Sequence, residues 1–206
     1  MMNRTMFLKL KASKTLFKAA LLLAVAGVLA YLIGAATVAS RLPQEFARAR
    51  QSVSAVSRQI VDLTALTSDR LAKVNLSDLN GETANARALI ADARASNAAA
   101  YSKAFELTQH LQALAQSLPK VSSMKKQRDA AEAISIELSL VSEFILYTQK
   151  VDAFLDALDE AVRTNTDGAR AAAADALRGV NEKVIAINAL NDSFRRAIGI
   201  FDAAEE

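Results

Sequence analysis

The sequence predicts an all-α protein: an N-terminal transmembrane helix followed by an antiparallel up-down-up-down four-helix bundle. Three observations predict it. Ala19 to Val38 runs twenty residues without a charge, the length an α-helix needs to cross about 30 Å of hydrocarbon. Beyond it, apolar residues recur at three- and four-residue spacing through four long segments, the pattern of coiled-coil and bundle packing. Finally, six Gly and two Pro are spread over 206 residues, Trp and Cys are missing, and Ala is abundant, a composition that favours long helices over sheets.

The apolar stretch comes first. Arg4, Lys9, Lys11, Lys14 and Lys18 precede it and no acid does. Basic flanks stay on the cytoplasmic side. Residues 1–18 therefore read as a cytoplasmic tail, 19–40 as a signal-anchor helix and 41–206 as an extracytoplasmic domain, periplasmic in a bacterial inner membrane. A cleaved signal peptide ending before Arg41 is the alternative, but such signals have apolar regions of about 7–15 residues. The exported part carries twenty Lys and Arg against twenty-two Asp and Glu, a net charge near −2. With no basic excess there, nucleic acid is excluded as a partner. The tail is suited to anionic lipid instead.

Four helices follow, expected at 44–74, 82–118, 123–163 and 169–203. Pro43 starts the first, with Ser40 as a possible cap. Its seam reads Phe46, Ala49, Val53, Val56, Ile60, Leu63, Thr67, Arg70, Val74. The turn cluster 75–81 ends in Asn80-Gly81, its strongest pair. The second seam is Ile90, Ala93, Asn97, Ala100, Ala104, Leu107, Leu111, Leu114, Leu118, closed by Pro119. Ser122 or Ser123 caps the third helix. There Ile134, Leu138, Val141 and Ile145 keep step, and Val151, Leu155, Leu158 and Val162 resume in shifted phase, which predicts a local change in supercoiling. After Asn165-Thr-Asp-Gly168 the fourth seam reads Ala173, Leu177, Val180, Val184, Ile187, Asn191, Phe194, Ile198, Phe201. Short connections make successive helices antiparallel neighbours. Residues 75–81 and 164–168 then share the distal tip, while the 119–122 turn and the C-terminus return to the membrane.

Few residues carry chemistry. Lys120, Lys125, Lys126 and Arg128 form a candidate membrane-proximal basic patch. Lys at a helix N-terminus opposes the dipole, so lipid phosphate or the terminal Asp202, Glu205 and Glu206 should compensate. Thr67, Arg70, Asn97 and Asn191 interrupt apolar seams, where single polar residues fix register or line a pocket. His110 has Glu106 as its only adjacent acid and is read as a flank residue. Asp152, Asp156, Asp159 and Glu160 make an acidic stripe on one helix, a solvated face or a site for a cation or a partner's bases. No phosphate loop, nucleophile elbow or paired metal motif is present. The reading is a protein that is not an enzyme, with no catalytic residue, no cofactor and no metal; its partners are the lipid bilayer and a protein partner or a homodimer.

A basic N-terminus, one membrane helix and four long antiparallel helices, from Lys9 to Phe201, resemble the extracytoplasmic sensory half of bacterial chemoreceptors. The chain departs from that pattern after Ile198-Gly-Ile-Phe201: Asp-Ala-Ala-Glu-Glu206 stands where such a receptor enters its second membrane helix. No ligand-binding motif of the family is matched, so the resemblance assigns no site residue. The leading functional expectation is an anchored interaction or scaffold module of an envelope complex. The alternative is a ligand-sensing domain acting through a separate membrane partner. An extended coiled coil would have to bridge Pro119 and Gly168.

Overall fold

Seams that repeat every three or four residues require partners along their whole length, and the chain supplies them itself. A computed structural model describes residues 42–203. Among them the chain forms four α-helices and no strand: α1 Gln44–Leu79, α2 Thr83–Ser117, α3 Met124–Thr164 and α4 Asp167–Ala203. They contain 36, 35, 41 and 37 residues. No helix among the described residues is long and apolar enough to cross a membrane. The span expected at 19–40 and the terminal Glu205 and Glu206 lie outside the described residues.

The helix ends follow local chemistry, with two corrections. The first helix was expected to stop at 74 but continues to Leu79. Asn75, Ser77 and Asp78 are mediocre helix formers, each costing roughly 0.5 kcal/mol against Ala. The seam nevertheless extends to buried Ser77, whose hydroxyl accepts a hydrogen bond from Asn85 at 2.8 Å. Tertiary burial overrides propensity, and the turn shrinks to Asn80-Gly81, where Gly81 takes φ +74°. The second correction is the start of α4, at Asp167 rather than 169. Thr166 accepts from the backbone N–H of Ala169 through Oγ1 (3.3 Å) and of Arg170 through its carbonyl (3.0 Å). Elsewhere Ser123 caps α3 by accepting from the Lys126 N–H. Asn165 closes it in the left-handed conformation, φ 53°.

The buried faces of α2 and α4 coincide with their expected seams, apart from half-buried Leu118 and Leu177. The expected α1 seam is buried at Phe46, Val53, Val56, Ile60, Thr67 and Val74 within a wider face, whereas the register of α3 differs from the expected one. In α1, Ser57, Thr64 and Leu71 are buried while Leu63 and Arg70 lie at the margin. In α3 the expected phase shift does not occur. Ala130, Ile134, Glu137, Val141, Phe144, Thr148, Val151 and Leu155 are all buried in unbroken alternating steps of four and three, whereas Leu138 and Ile145 are flanking residues. The apparent slip arose because two members of this seam, Glu137 and Thr148, are polar.

Consecutive helices pack closely: α1 on α2, α2 on α3, α3 on α4. Ala86, Ala93, Ala100 and Ala104 are essentially inaccessible, and such small side chains let neighbouring backbones come near. Asn97, 2 % exposed, stitches α2 to α3 by donating to the Thr148 carbonyl (2.9 Å) and to Asp152 (2.8 Å). Helices α1 and α4 meet at their ends. Phe46 and Phe201 lie 5.9 Å apart and Arg50 pairs with Asp202 at 3.1 Å, while Asp78 pairs with Arg170 at 3.2 Å at the opposite tip. The start of one helix thus faces the end of the other. Their backbones scarcely come within 8 Å of each other.

Candidate functional site

The loose pairing of α1 with α4 leaves room at the centre, and the α3 seam places a carboxyl there. A cleft of about 740 Å³, including the space at its opening, is lined from all four helices. A smaller one of about 430 Å³ lies toward the Phe46–Phe201 end. Glu137 and Phe194 line both. The walls of the larger cleft are mainly apolar and aromatic, with Ile60, Val61, Phe144, Tyr147, Val184 and Ile187 among them.

Besides Thr64, three polar groups face this interior. Glu137 is 7 % exposed, and its carboxyl makes no hydrogen bond among the described residues. Burial raises its pKa from the ordinary carboxylate value to about 7, opposed by the positive charge of Arg50. Arg50 is itself held by Asp202, donating to both carboxylate oxygens at 3.1 and 3.2 Å, and its guanidinium lies 5.7 Å from the centre of the Phe201 ring. Tyr147 is buried beside Phe144 with ring centres 5.5 Å apart, and burial raises its phenol pKa. Ser57 is the third. Other seam hydroxyls bond to carbonyls of their own helix: Thr64 to Ile60 (2.7 Å), Thr67 to Leu63 (3.0 Å), Thr148 to Ile145 (2.7 Å). The buried Ser57 hydroxyl makes no such bond and has no partner among the described residues. Buried polar groups are normally satisfied, so an unpartnered buried hydroxyl beside a nearly buried carboxyl marks this cleft as the candidate site. A carboxyl, a phenol and a hydroxyl in apolar surroundings suit non-covalent binding.

The residues singled out from sequence lie elsewhere. In the basic patch, Lys120 pairs with Glu45 of the first α1 turn and holds that carboxyl below its usual pKa. Lys125 pairs with Asp129 at 2.8 Å. Glu45 thus compensates Lys120, whereas Asp202, expected in that role, is bound to Arg50. Arg128 is exposed, and Lys126 supplies the backbone N–H for the α3 cap. Of the seam residues, Thr67 is satisfied within its own helix. Arg70 lies 3.6 Å from Asp92 of α2 and 3.2 Å from Asp69. Asn97 staples two helices, and Asn191 is buried with its side-chain oxygen unpartnered. None of the four lines the cleft.

The acidic stripe belongs largely to the α2–α3 contact. Asp152 accepts from Asn97, Asp156 pairs with Arg94 at 2.5 Å and Asp159 with Arg87 at 2.8 Å. Glu160 pairs within α3 with Arg163. His110 stands 3.8 Å from Glu106 on the partly exposed flank of α2. Among the described residues no three His, Cys, Asp or Glu side chains cluster to hold a metal. Sequence reading missed Glu137, Ser57 and Tyr147. The available signal was the register of α3: stepping back from Val151 by three and four lands on Glu137. Compared with family models, curated proteins and solved structures, the chain matches none of them.

Two outcomes follow for stability. The folded pKa of Glu137 is raised, so its proton stabilises the fold fully below the unfolded carboxylate value and that stability is lost as pH rises through about 7. Denaturant unfolding should show wild type losing on the order of 3 kcal/mol between pH 4.5 and 8 relative to Glu137→Gln; identical pH profiles would refute the burial argument. The two seam asparagines should also differ. Asn97→Leu is expected to cost about 1–3 kcal/mol by removing both bonds to α3. Asn191→Leu should be neutral or stabilising by up to about 1 kcal/mol, and an equal loss in both variants would contradict this assignment.

Proposed function

We propose that the chain is a non-enzymatic, membrane-anchored helical-bundle domain that binds a small molecule outside the cytoplasm and passes its occupancy to a protein partner or a second copy. The antiparallel contacts at both ends of α1 and α4 support an up-down-up-down four-helix bundle. Residues 19–40 serve as its anchor, with the N-terminus cytoplasmic. Pro43, the Lys120 turn and the end of α4 then face the membrane, and Asn80-Gly81 and Asn165 form the distal tip. The observation that carries the binding reading is the central cleft, where the buried Ser57 hydroxyl has no hydrogen-bond partner among the described residues and Glu137, 7 % exposed, presents its carboxyl. Glu137 occupies a seam position that a Leu would fill at lower cost, and proteins retain such costs at functional sites.

A second reading keeps the domain as a scaffold that offers a helical face to an envelope complex. It draws on Leu76 and Leu79, 60 % and 52 % exposed beside the distal turn. The two readings separate in a thermal-shift screen of the full-length protein against a small-molecule library. On the binding reading, at least one compound raises Tm in a concentration-dependent way, and Val61→Phe, which fills the cleft, abolishes that rise. Shifts that survive Val61→Phe, or none at all, would favour the scaffold.

A further inference from the structure

We propose that the cleft selects a small ligand with an apolar body and a single protonated amine, the ammonium seated on Glu137 and the body among Phe144, Tyr147 and Phe194. This names the ligand class for the site described above and rests on the binding reading. The walls are apolar enough that a charged ligand needs a specific counter-charge, and the larger cleft provides one acid and no base. Arg50 reaches only the smaller cleft and is bound to Asp202. An anionic ligand would therefore meet Glu137 without compensation. A purely apolar ligand would fill the space but leave the carboxyl and the Ser57 hydroxyl unsatisfied. An alkylammonium supplies what is missing. Its N–H groups donate to the carboxylate and to Ser57 Oγ, and aromatic faces favour a cation nearby.

Binding is then coupled to protons. The ammonium arrives charged and Glu137 gives up its carboxyl proton to the buffer, leaving an ammonium–carboxylate pair. The charged group bearing on Glu137 is Arg50 from α1, and Tyr147 lines the larger cleft nearly three turns further along α3; α2 and α4 line the two clefts with apolar side chains alone. The phenol, whose pKa is raised by burial, keeps its proton at neutral pH, so the released proton comes from Glu137.

The test is titration calorimetry at pH 7 on the full-length protein in zwitterionic nanodiscs, against empty discs, in buffers of differing ionisation enthalpy. The probes are 2-phenylethylamine, 2-phenylethanol and phenylacetate, which share an apolar body. The amine is expected to bind saturably with release of about half a proton. Glu137→Gln, checked for folding by circular dichroism, should weaken it at least tenfold and abolish the release. Ser57→Ala should weaken it roughly threefold. Amine binding that is unchanged in Glu137→Gln, or that releases no proton, overturns the proposal. Binding of the alcohol or the acid in place of the amine, lost in Val61→Phe, overturns the ligand class while leaving the cleft as a binding site. No binding by any probe overturns the amine assignment, and the library screen then decides separately whether the cleft binds anything.

Discussion

Because connections of two to six residues join the four helices, each helix must bury its seam against the helix before it. A helix of 35 or more residues with a one-sided apolar stripe has little stability alone, so pairing is where its free energy comes from. Short turns make α1–α2, α2–α3 and α3–α4 close by construction. The α4–α1 pairing has no connection to enforce it and depends on what the side chains supply. They supply contacts at the two ends: Phe46 on Phe201 with Arg50–Asp202 at one, Asp78–Arg170 at the other. The central cleft lies where neither a turn nor an end contact draws the helices together.

Glu137 turns that opening from a packing defect into a site. A carboxyl on a bundle surface would be unremarkable, but α3 packs in unbroken register and carries this one into the interior with Val141 and Ile134 on either side. Its cost is met by remaining neutral, which its raised pKa of about 7 permits over the acidic half of the usual range. On the order of 3 kcal/mol of stability given up at alkaline pH is a sizeable share of the roughly 5–15 kcal/mol typical of a domain. The long apolar seams of α2 and α4 make that tolerable.

Much of the fold was legible in the sequence, and the failures share a cause. The α2 and α4 seams could be traced because Ala, Leu, Val and Ile occupy nearly every step, so the eye and the physics choose the same residues. The α1 and α3 seams contain Ser57, Thr64, Glu137 and Thr148, and skipping these polar residues made the α1 face look narrower than it is and produced a false phase shift in α3. Hydroxyls enter a seam cheaply because a helix carbonyl four residues back accepts their proton, as Ile60 does for Thr64. Composition does not announce this. The candidate site was illegible for the same reason: its defining residue is a Glu, whose default reading is solvent. The acidic stripe of α3 is solvated as expected, but its ion pairs to α2 were not legible. Its partners Arg87 and Arg94 lie about sixty to seventy residues earlier in the chain, and only the α2–α3 register brings them opposite.

The distribution of ion pairs carries the last step. Arg87–Asp159 and Arg94–Asp156, two of those between helices, are largely exposed, and such pairs contribute about 0–1 kcal/mol each. Arg50 is different, being only 14 % exposed with Asp202 at 21 %, and it is also the one basic side chain that bears on Glu137. Arg50 thus belongs at once to the contact that closes the α1–α4 end and to the electrostatics of the central carboxyl. Ionisation of Glu137 would draw on the same guanidinium that binds Asp202. The charge that favours ionisation of Glu137 and the charge that closes the α1–α4 end are therefore carried by the same guanidinium.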